Sequence, residues 1–519
     1  MKKILNIFCL FSISSIIFAA GSDGIYLPDL TTEVEDKSEI FVPEIEMKLS
    51  AEIEIPEGVF SEEIILPEEK DESVQETPVI ISPSNLLAGG YLGLGLPGNF
   101  KGGFDIFNST NDNPFFAGMD YDSMNCYNKQ KKSEGFFDNS ISIHAGKTLN
   151  KDKNTFNFFG SFNNIENGFQ NKCSESSFYS RSNISGRFYY NRELSKGFSI
   201  ATGITGDYYL RSTDKIEDVQ YINFYPEINF VWNYKKICIL LNGNYDFTYA
   251  YENQIHRGNA LLSFSWANDS VIFLADTGIV FGNKIGKNTV QVPFKIYTQC
   301  SIPVKFSDNR ISLSVEGGMS SEKPEMIQNE WKNSYSAFTQ IPGEVSDWYG
   351  KLEFFLPVKN VFSLDVNFEY RKTAFGNSFY EPDYLSSPLN GLYGFHSVDR
   401  QIIKTSEHLN YSKGAFSLSG GWISNFDFIP ASETEQLVAV SVSYAVEKFD
   451  AYGSVQFPLL ALDSTPLFDV EGSIKVNDSL RIAINAEDIV KLFNGKSRIT
   501  LGQYSVRTGS ASLIMKFNY

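Results

Sequence analysis

Long apolar segments are nearly absent from this sequence of 519 residues. The one extended run, from Ile4 to Phe18, is shorter than the ~20 residues that a helix needs to cross a bilayer. The sequence therefore favours a cleaved segment over a retained helix at this run, and no later segment is apolar for long enough to be a membrane helix. The sequence leaves either a soluble protein or a sheet that closes on itself, because an open sheet edge would leave backbone groups unpaired in hydrocarbon.

Histidine and methionine are scarce, with four and seven residues, whereas phenylalanine and tyrosine number 44 and 27. The histidines are dispersed, at His144, His256, His396 and His408. None belongs to a Ser-His-Asp pattern or to a metal-ligand spacing, and no basic cluster with interleaved aromatics supports nucleic-acid binding. We predict no enzyme, no cofactor, no metal site and no nucleic-acid partner. The aromatic bias favours strands and membrane interfaces.

The amino-terminal residues have the three parts of a secretory signal. Lys2 and Lys3 supply the basic region, the apolar run follows, and Ala19 and Ala20 form a small-residue cleavage site. We predict a signal peptide over residues 1–20.

Negative charge is concentrated in one short part of the chain. The formal net charge is −18, but residues 23–84 carry 18 acidic residues and three lysines, so the remainder is close to neutral at −3. This acidic part is rich in proline and almost free of aromatics, a composition that cannot bury enough apolar surface to order itself. We predict a disordered periplasmic tail over residues 21–84.

One stretch of the tail has strand periodicity. Apolar residues alternate there with polar ones, at Ile45, Met47, Leu49, Ile53 and Ile55. Such a strand has no partner within the tail, so it indicates docking by strand addition to a periplasmic partner or along the barrel wall. The alternative is a spacer in which the alternation arose by chance.

Residues 85–519 have a different pattern. Segments of 10 to 18 residues with alternating hydrophobicity are separated by alternately short and long polar connections. This pattern is typical of an all-β fold, a single large antiparallel transmembrane β-barrel. We predict about 20 strands, within a range of 18 to 22. Residues 86–96 are either a further strand or a Gly-rich entry segment, and residues 109–137 and 375–395 are predicted as long outward loops.

Single strands show the alternation clearly. Ile311, Leu313 and Val315 share one face of their predicted strand, and serines and a glutamate share the other. The final residues behave in the same way, with an apolar series at Leu513, Met515, Phe517 and Tyr519. A last strand that ends on an aromatic residue resembles the carboxy-terminal signal read by the outer-membrane assembly machinery. The sequence therefore predicts insertion among the lipids of the outer membrane of a Gram-negative-type bacterium.

The last forty residues resemble a narrower group. Residues 480–496, followed by Tyr504 and by Arg507-Thr508-Gly509, resemble the ending of TonB-dependent receptors. That family implies a plug domain of well over a hundred residues, whereas about 65 residues separate the signal from the first strands. The resemblance therefore implies a plugless relative.

Cysteines 126, 173, 238 and 300 are too widely spaced for a zinc cluster. Cys126 and Cys173 fall in the first two predicted outward loops. They are a candidate loop disulfide, with unpaired thiols as the alternative.

Aromatic pairs occur near several predicted strand ends, at Tyr189-Tyr190, Tyr208-Tyr209 and Phe354-Phe355. They are interpreted as interface anchors, with sugar-stacking platforms in a pore as the alternative.

A barrel of this width either conducts or is closed by its own loops and tail. The sequence predicts a transport barrel, a channel or receptor-like porin for a small hydrophilic solute, gated by the acidic tail. The alternative is a surface adhesin or structural barrel that binds partners through its long loops.

Overall fold

The protein, seen in a computed structural model, forms one closed β-barrel. The residues that the structure describes are 86–108, 113–127, 129–214, 218–284, 287–304, 309–359, 361–374, 379–427, 435–459, 465–494, 500–506 and 509–518. The predicted signal peptide, the acidic tail with its candidate docking strand at 45–55, and Tyr519 lie outside these residues. Those predictions stay predictions.

Twenty-two antiparallel strands make up the wall, each paired with its neighbours in the chain. They are β1 Leu86–Leu96, β2 Asn99–Asn108, β3 Phe115–Met124, β4 Asp138–Lys151, β5 Asn154–Gly168, β6 Phe178–Ser195, β7 Phe198–Thr213, β8 Val219–Tyr234, β9 Ile237–Ala250, β10 Asn253–Ala267, β11 Val271–Lys284, β12 Lys287–Gln291 with Phe294–Pro303, β13 Arg310–Met319, β14 Asp347–Val358, β15 Phe362–Thr373, β16 Gln401–Lys413, β17 Phe416–Asp427, β18 Glu435–Val446, β19 Phe449–Pro458, β20 Leu467–Asn477, β21 Leu480–Glu487 and β22 Ser510–Asn518.

The first and last strands close the barrel. Strand β22 pairs with β21 on one side and with β1 on the other, where Leu94 lies opposite Leu513 and Leu92 opposite Met515. The predicted all-β barrel is confirmed, at the upper end of the expected strand number. Closure leaves no unpaired edge that lipid would have to cover.

Two strands account for the difference between the 20 predicted strands and the 22 observed ones. Residues 86–96, which the sequence predicted as either a strand or a Gly-rich entry segment, form β1. Residues 115–124 form β3, so the prediction of one long outward loop over 109–137 is wrong. Its lumen-facing positions, which include Gly118, Asp120 and Asp122, break up the apolar alternation that marks the other strands.

The outer face of the barrel is apolar and exposed. Leu313 and Val315 are 43% and 50% exposed, whereas Ser314 between them is 6% exposed. Leu513, Met515 and Phe517 also face outward at the closing strand. Exposed apolar side chains of this kind occur on every described strand of the wall except β3, and they form the surface that faces lipid. The alternation read from the sequence is therefore confirmed, and the barrel is an outer-membrane protein.

The connections sort into two sets. Turns of two residues join most strands at one edge, for example at 152–153, 196–197 and 235–236. Long connections lie at the other edge, and they are 125–137, 169–177, 320–346, 374–400 and 488–509. In barrels of this class the short turns face the periplasm, so the long connections face outward.

Two short α-helices lie in these connections, α1 Met326–Lys332 and α2 Ile489–Asn494. Among the described residues, no helix is long and apolar enough to cross a membrane.

The two faces of one strand give a direct test of the barrel. Val440 faces outward near the middle of β18, and Ser441 faces inward. We expect Val440→Lys to destabilise the folded barrel by about 2–4 kcal/mol, because it places a charge in hydrocarbon. Ser441→Lys should change stability little. Urea unfolding of protein refolded into lipid vesicles measures both, and equal losses would contradict the assignment of faces.

Candidate functional site

The inner wall of the barrel is polar. Ser419, Ser441 and Ser454 lie side by side in register on β17, β18 and β19, and they alternate with outward-facing valines such as Val440 and Val442. Hydroxyl groups directed into the lumen suit a water-filled interior.

Another part of the wall carries a row of alternating charge. Glu316, Lys351, Glu369 and Lys404 follow one another in register across β13 to β16. Each carboxylate in the row therefore has an ammonium group on a neighbouring strand.

The outward connection at 320–346, here called the cap loop, packs onto the inner side of the barrel mouth. Its residues Met326, Phe338 and Ile341 are buried against Tyr209 of β7 and Tyr221 of β8. Since these tyrosines face the lumen, the cap loop covers part of the polar interior.

A buried carboxylate fixes the cap loop in this position. Glu330 of α1 is 0% exposed. Its Oε1 accepts hydrogen bonds of 2.7 Å from Arg211 Nη1, from the Tyr221 hydroxyl and from the Phe338 backbone N–H. Its Oε2 accepts one of 2.7 Å from the Tyr209 hydroxyl. Each oxygen of the buried charge is therefore satisfied, as a carboxylate removed from water requires.

A second buried arginine holds the helix backbone. Arg181 of β6 donates to the backbone carbonyl of Glu330 and, over 2.8 Å, to Asn167 Oδ1. Its guanidinium lies 5.0 Å from the ring centre of Tyr179 and 5.9 Å from that of Trp331. The helix is therefore seated on the wall by its main chain as well as by its glutamate.

Ion pairs hold both ends of the cap loop. Lys323 Nζ lies 2.8 Å from Asp246 Oδ1, and Arg257 Nε lies 3.1 Å from Glu344 Oε1. All four side chains are largely buried. These pairs join the start and the end of the loop to β9 and β10.

A strained turn of the wall meets the same cluster. Tyr251, in the tight turn between β9 and β10, has φ of +50°, a conformation that costs free energy for a bulky residue. Its hydroxyl lies against the hydroxyl of Tyr221 and donates to the carbonyl of Phe338. The contacts with the seated cap loop therefore help to hold the turn in this conformation.

Aromatic side chains from other outward connections form a second cluster beside the first. The rings of Tyr335 and Tyr504 stack with centres 4.1 Å apart, and Tyr179 and Phe169 also stack, at 5.2 Å. Burial raises the pKa of the Tyr335 hydroxyl well above its ordinary value. The cluster joins the cap loop to the connections at 169–177 and 488–509.

One amide ties three connections together. Gln170 Nε2 lies within hydrogen-bond distance of the hydroxyls of Tyr127 and Tyr335, at 2.9 and 3.1 Å, and of the carbonyl of Ser505, at 2.6 Å, and its two hydrogens are shared among them. Its Oε1 accepts from the Ser505 backbone N–H at 2.9 Å. The outward connections are therefore an interlocked layer over the lumen.

The predicted loop cysteines lie where expected, in the outward connections. Both Cys126 and Cys173 are free thiols, and Cys126 donates to the carbonyl of Pro97. The candidate disulfide stays a prediction.

The aromatic pairs divide between the two faces, because neighbouring residues on a strand point in opposite directions. Tyr208 faces outward, as an interface anchor does. Tyr209 is buried beside Glu330, so the anchor interpretation is wrong for this residue.

The sequence did not point to Glu330, Arg211 or Gln170 as functional residues. Glu330 and Arg211 are 119 positions apart, and neither belongs to a local motif. The available signal was weak: two arginines at lumen-facing strand positions, Arg181 and Arg211, close to the outer edge.

Neither a family model nor a curated protein matches this sequence. Solved structures do match. The copper transporter OprC is 8% identical, with a TM-score of 0.62 over 84% of this chain and 80% of that chain. The FrpB iron transporter from Neisseria meningitidis (F3-3 variant) is 8% identical, with 0.59 over 84% and 81%. The siderophore receptor PiuA from Acinetobacter baumannii is 9% identical, with 0.59 over 84% and 82%.

These neighbours are TonB-dependent receptors, the group that the carboxy-terminal residues resemble. At such low identity the likeness shows the fold, and it agrees with a barrel of 22 strands.

Replacing the buried carboxylate should release the cap loop. Glu330→Gln leaves Arg211 buried without its counter-charge, a change that typically costs about 3–5 kcal/mol. We expect trypsin added to the folded protein to cleave at Lys323 or Lys332 much faster than in the unchanged protein. Glu325→Gln, in the same loop, is the control. Equal cleavage rates in all three proteins would contradict the role of Glu330.

The cap loop should also respond to pH through Glu325. Glu325 keeps an exposed surface, but partial removal of its carboxyl group from water, and then the charge of Asp207, raises its pKa above the ordinary value of 4.5. Because the pKa is raised, protonation of Glu325 favours the seated cap loop. The stabilisation of the seated loop by protonated Glu325 is full below about pH 4.5, and it is lost as pH rises through the raised pKa. Tryptic cleavage is slow at low pH, so hydrogen exchange of residues 323–332 is the measurement. Protection should rise on acidification, and Glu325→Gln should remove that rise.

Proposed function

We propose that this protein is a gated transport barrel of the outer membrane for a small hydrophilic solute. The observation that carries the proposal is a polar-walled barrel of 22 strands whose mouth is covered by a loop seated on the buried carboxylate of Glu330. Barrels of this width enclose a lumen that must be occluded or conduct. We propose that this cover, held by hydrogen bonds, ion pairs and aromatic packing, occludes part of the lumen and is released when those contacts are broken.

The acidic tail is proposed as a second gate, at the periplasmic end. The first described strand begins at Leu86 at that end, so we propose that the tail acts from the periplasmic side. A net charge of −15 near the lumen would favour cations over anions. The alternating residues 45–55 are proposed as the strand that docks on a periplasmic partner or on the wall. With this tail in place of a globular plug, the chain would be a plugless relative of the receptors that it resembles.

The solved neighbours are named as transporters or receptors for copper, iron and siderophores. Uptake of such a metal complex is the closest alternative solute. Within the described ranges, however, no group of three or more His, Cys, Asp or Glu residues is arranged to hold a metal ion. We therefore propose that the solute is a small hydrophilic molecule and not a bare metal ion.

A surface adhesin is the second candidate, and one observation favours it. Leu385 and Leu389 in the connection at 374–400 are 82% and 67% exposed, and Phe493 in α2 is 79% exposed. Apolar side chains at the outer edge of the barrel are available to a binding partner.

Single-channel conductance in a planar bilayer tests the proposal with four proteins. They are the mature chain, the chain without residues 23–84, Glu330→Gln, and the combination of both changes. If both gates act, we expect few steps from the mature chain and the largest and most frequent steps from the combination. Steps after either single change would identify which gate dominates.

Silence from all four proteins would contradict a transport barrel and favour the adhesin. Equal, large steps from all four would establish an open pore and remove both proposed gates. Thermal unfolding of each protein controls for loss of the barrel itself.

A further inference from the structure

The lumen wall contains a recess at some distance from the cap loop. It has a volume of about 170 Å³ and lies across β12 to β15, toward the ends of these strands that carry the periplasmic turns. The side chains that matter are Tyr297, Gln299, Ser314, Glu353, Phe355 and Asp365.

The size of the recess limits what can occupy it. A cavity of about 150 Å³ in a protein core accommodates one benzene molecule. The recess is therefore large enough for a single six-membered ring. A bulky metal complex or a peptide would leave most of its surface outside the recess, in the lumen.

Hydrogen-bonding groups line the recess. Ser314 Oγ donates to Glu353 Oε2 over 2.9 Å, and Asn410 Nδ2 donates to Asp365 Oδ2 over 3.0 Å. In each carboxylate the second oxygen can accept a hydrogen bond from a solute. Two carboxylates that are held in place by neighbouring side chains suit a ligand with several hydroxyl donors.

Phe355 adds an apolar surface where the wall is otherwise polar. It lies in register with Ser312 and Asp365, on the lumen face, while Phe354 next to it lies on the outer face. Phe355 thus provides a flat ring in contact with the lumen. The C–H face of a sugar ring packs on such a surface, while its hydroxyls reach the carboxylates.

The charge of the side chains that line the recess limits the classes of ligand further. Among the described residues that line the recess there are two carboxylates and no basic side chain. An anionic solute would be repelled there. Within the described lining there is no group of three or more His, Cys, Asp or Glu side chains that could hold a metal ion.

We propose that this recess binds one neutral hydroxylated ring, with the size and chemistry of a monosaccharide unit. The proposal deepens the proposed function, on which it rests, by naming the class of solute. Glu353 and Asp365 accept hydrogen bonds from the hydroxyls, and Phe355 packs against the apolar face of the ring.

The test is equilibrium binding, which needs no conduction. Saturation-transfer NMR on the full mature chain, in a detergent without sugar headgroups, would use D-glucose as the probe, with D-gluconate and Mg²⁺ for comparison. We expect glucose to bind, gluconate to bind much more weakly, and Mg²⁺ not to compete. Phe355→Ala and Asp365→Asn should each weaken glucose binding about tenfold, since a hydrogen bond to a charged group or a ring contact is lost.

Two matched variants control for general effects on the lumen. Phe159→Ala removes another lumen-facing ring, and Asp105→Asn removes another lumen-facing carboxylate. Both should bind glucose as the unchanged protein does.

Absence of glucose binding, stronger binding of gluconate, or full competition by Mg²⁺ would each overturn the recess proposal. So would equal losses in the controls and in the recess variants. These failures are distinct from a failure of the transport proposal, which would appear as silent bilayers whether or not glucose binds.

Discussion

Hydrocarbon offers no hydrogen-bond partner to a peptide group, and an unpaired group there costs several kcal/mol. The rest of the structure depends on this constraint. It requires that the strand beginning at Leu86 meet the strand ending at Asn518, so the ends of the described chain lie side by side. Strand β12 is interrupted at Pro293, because the ring nitrogen of proline has no hydrogen to donate to the neighbouring strand. The carbonyl of Pro293 still accepts a hydrogen bond from the backbone N–H of Gly278.

A similar cost applies at the outer mouth of the barrel, where the group that has lost its water is a charged carboxylate and not a peptide group. A carboxylate as buried as that of Glu330 is tolerated only where donors surround it. Those donors come from β7, β8 and the cap loop itself, so none of the three can satisfy the charge alone. Even a small displacement of the seated cap loop is therefore costly, because it breaks several hydrogen bonds to one buried charge at once.

Local patterns predicted most of the wall and little of the site. Alternation at residues 311–316 is a property of neighbouring residues, so the faces of β13 could be read directly. Strand β3 was missed because Gly118, Asp120 and Asp122 face a polar lumen, where acidic residues and glycine carry no penalty. The contact between Glu330 and Arg211 joins positions 119 apart. Such a pairing depends on how the barrel brings distant parts of the chain to one edge, so the hydrophobic periodicity of neighbouring residues does not predict it.

The row Glu316, Lys351, Glu369 and Lys404 has a consequence for how charge is felt inside the barrel. Neighbouring strands are about 5 Å apart, so the signs alternate over that spacing. The potentials of such a row cancel beyond roughly one strand spacing, even before salt screens them. On the barrel axis this row therefore contributes little field, whereas a molecule that touches the row meets strong fields of both signs. This arrangement favours dipolar, uncharged molecules, which gain from both signs at short range, over ions, which are attracted by one neighbour and repelled by the next.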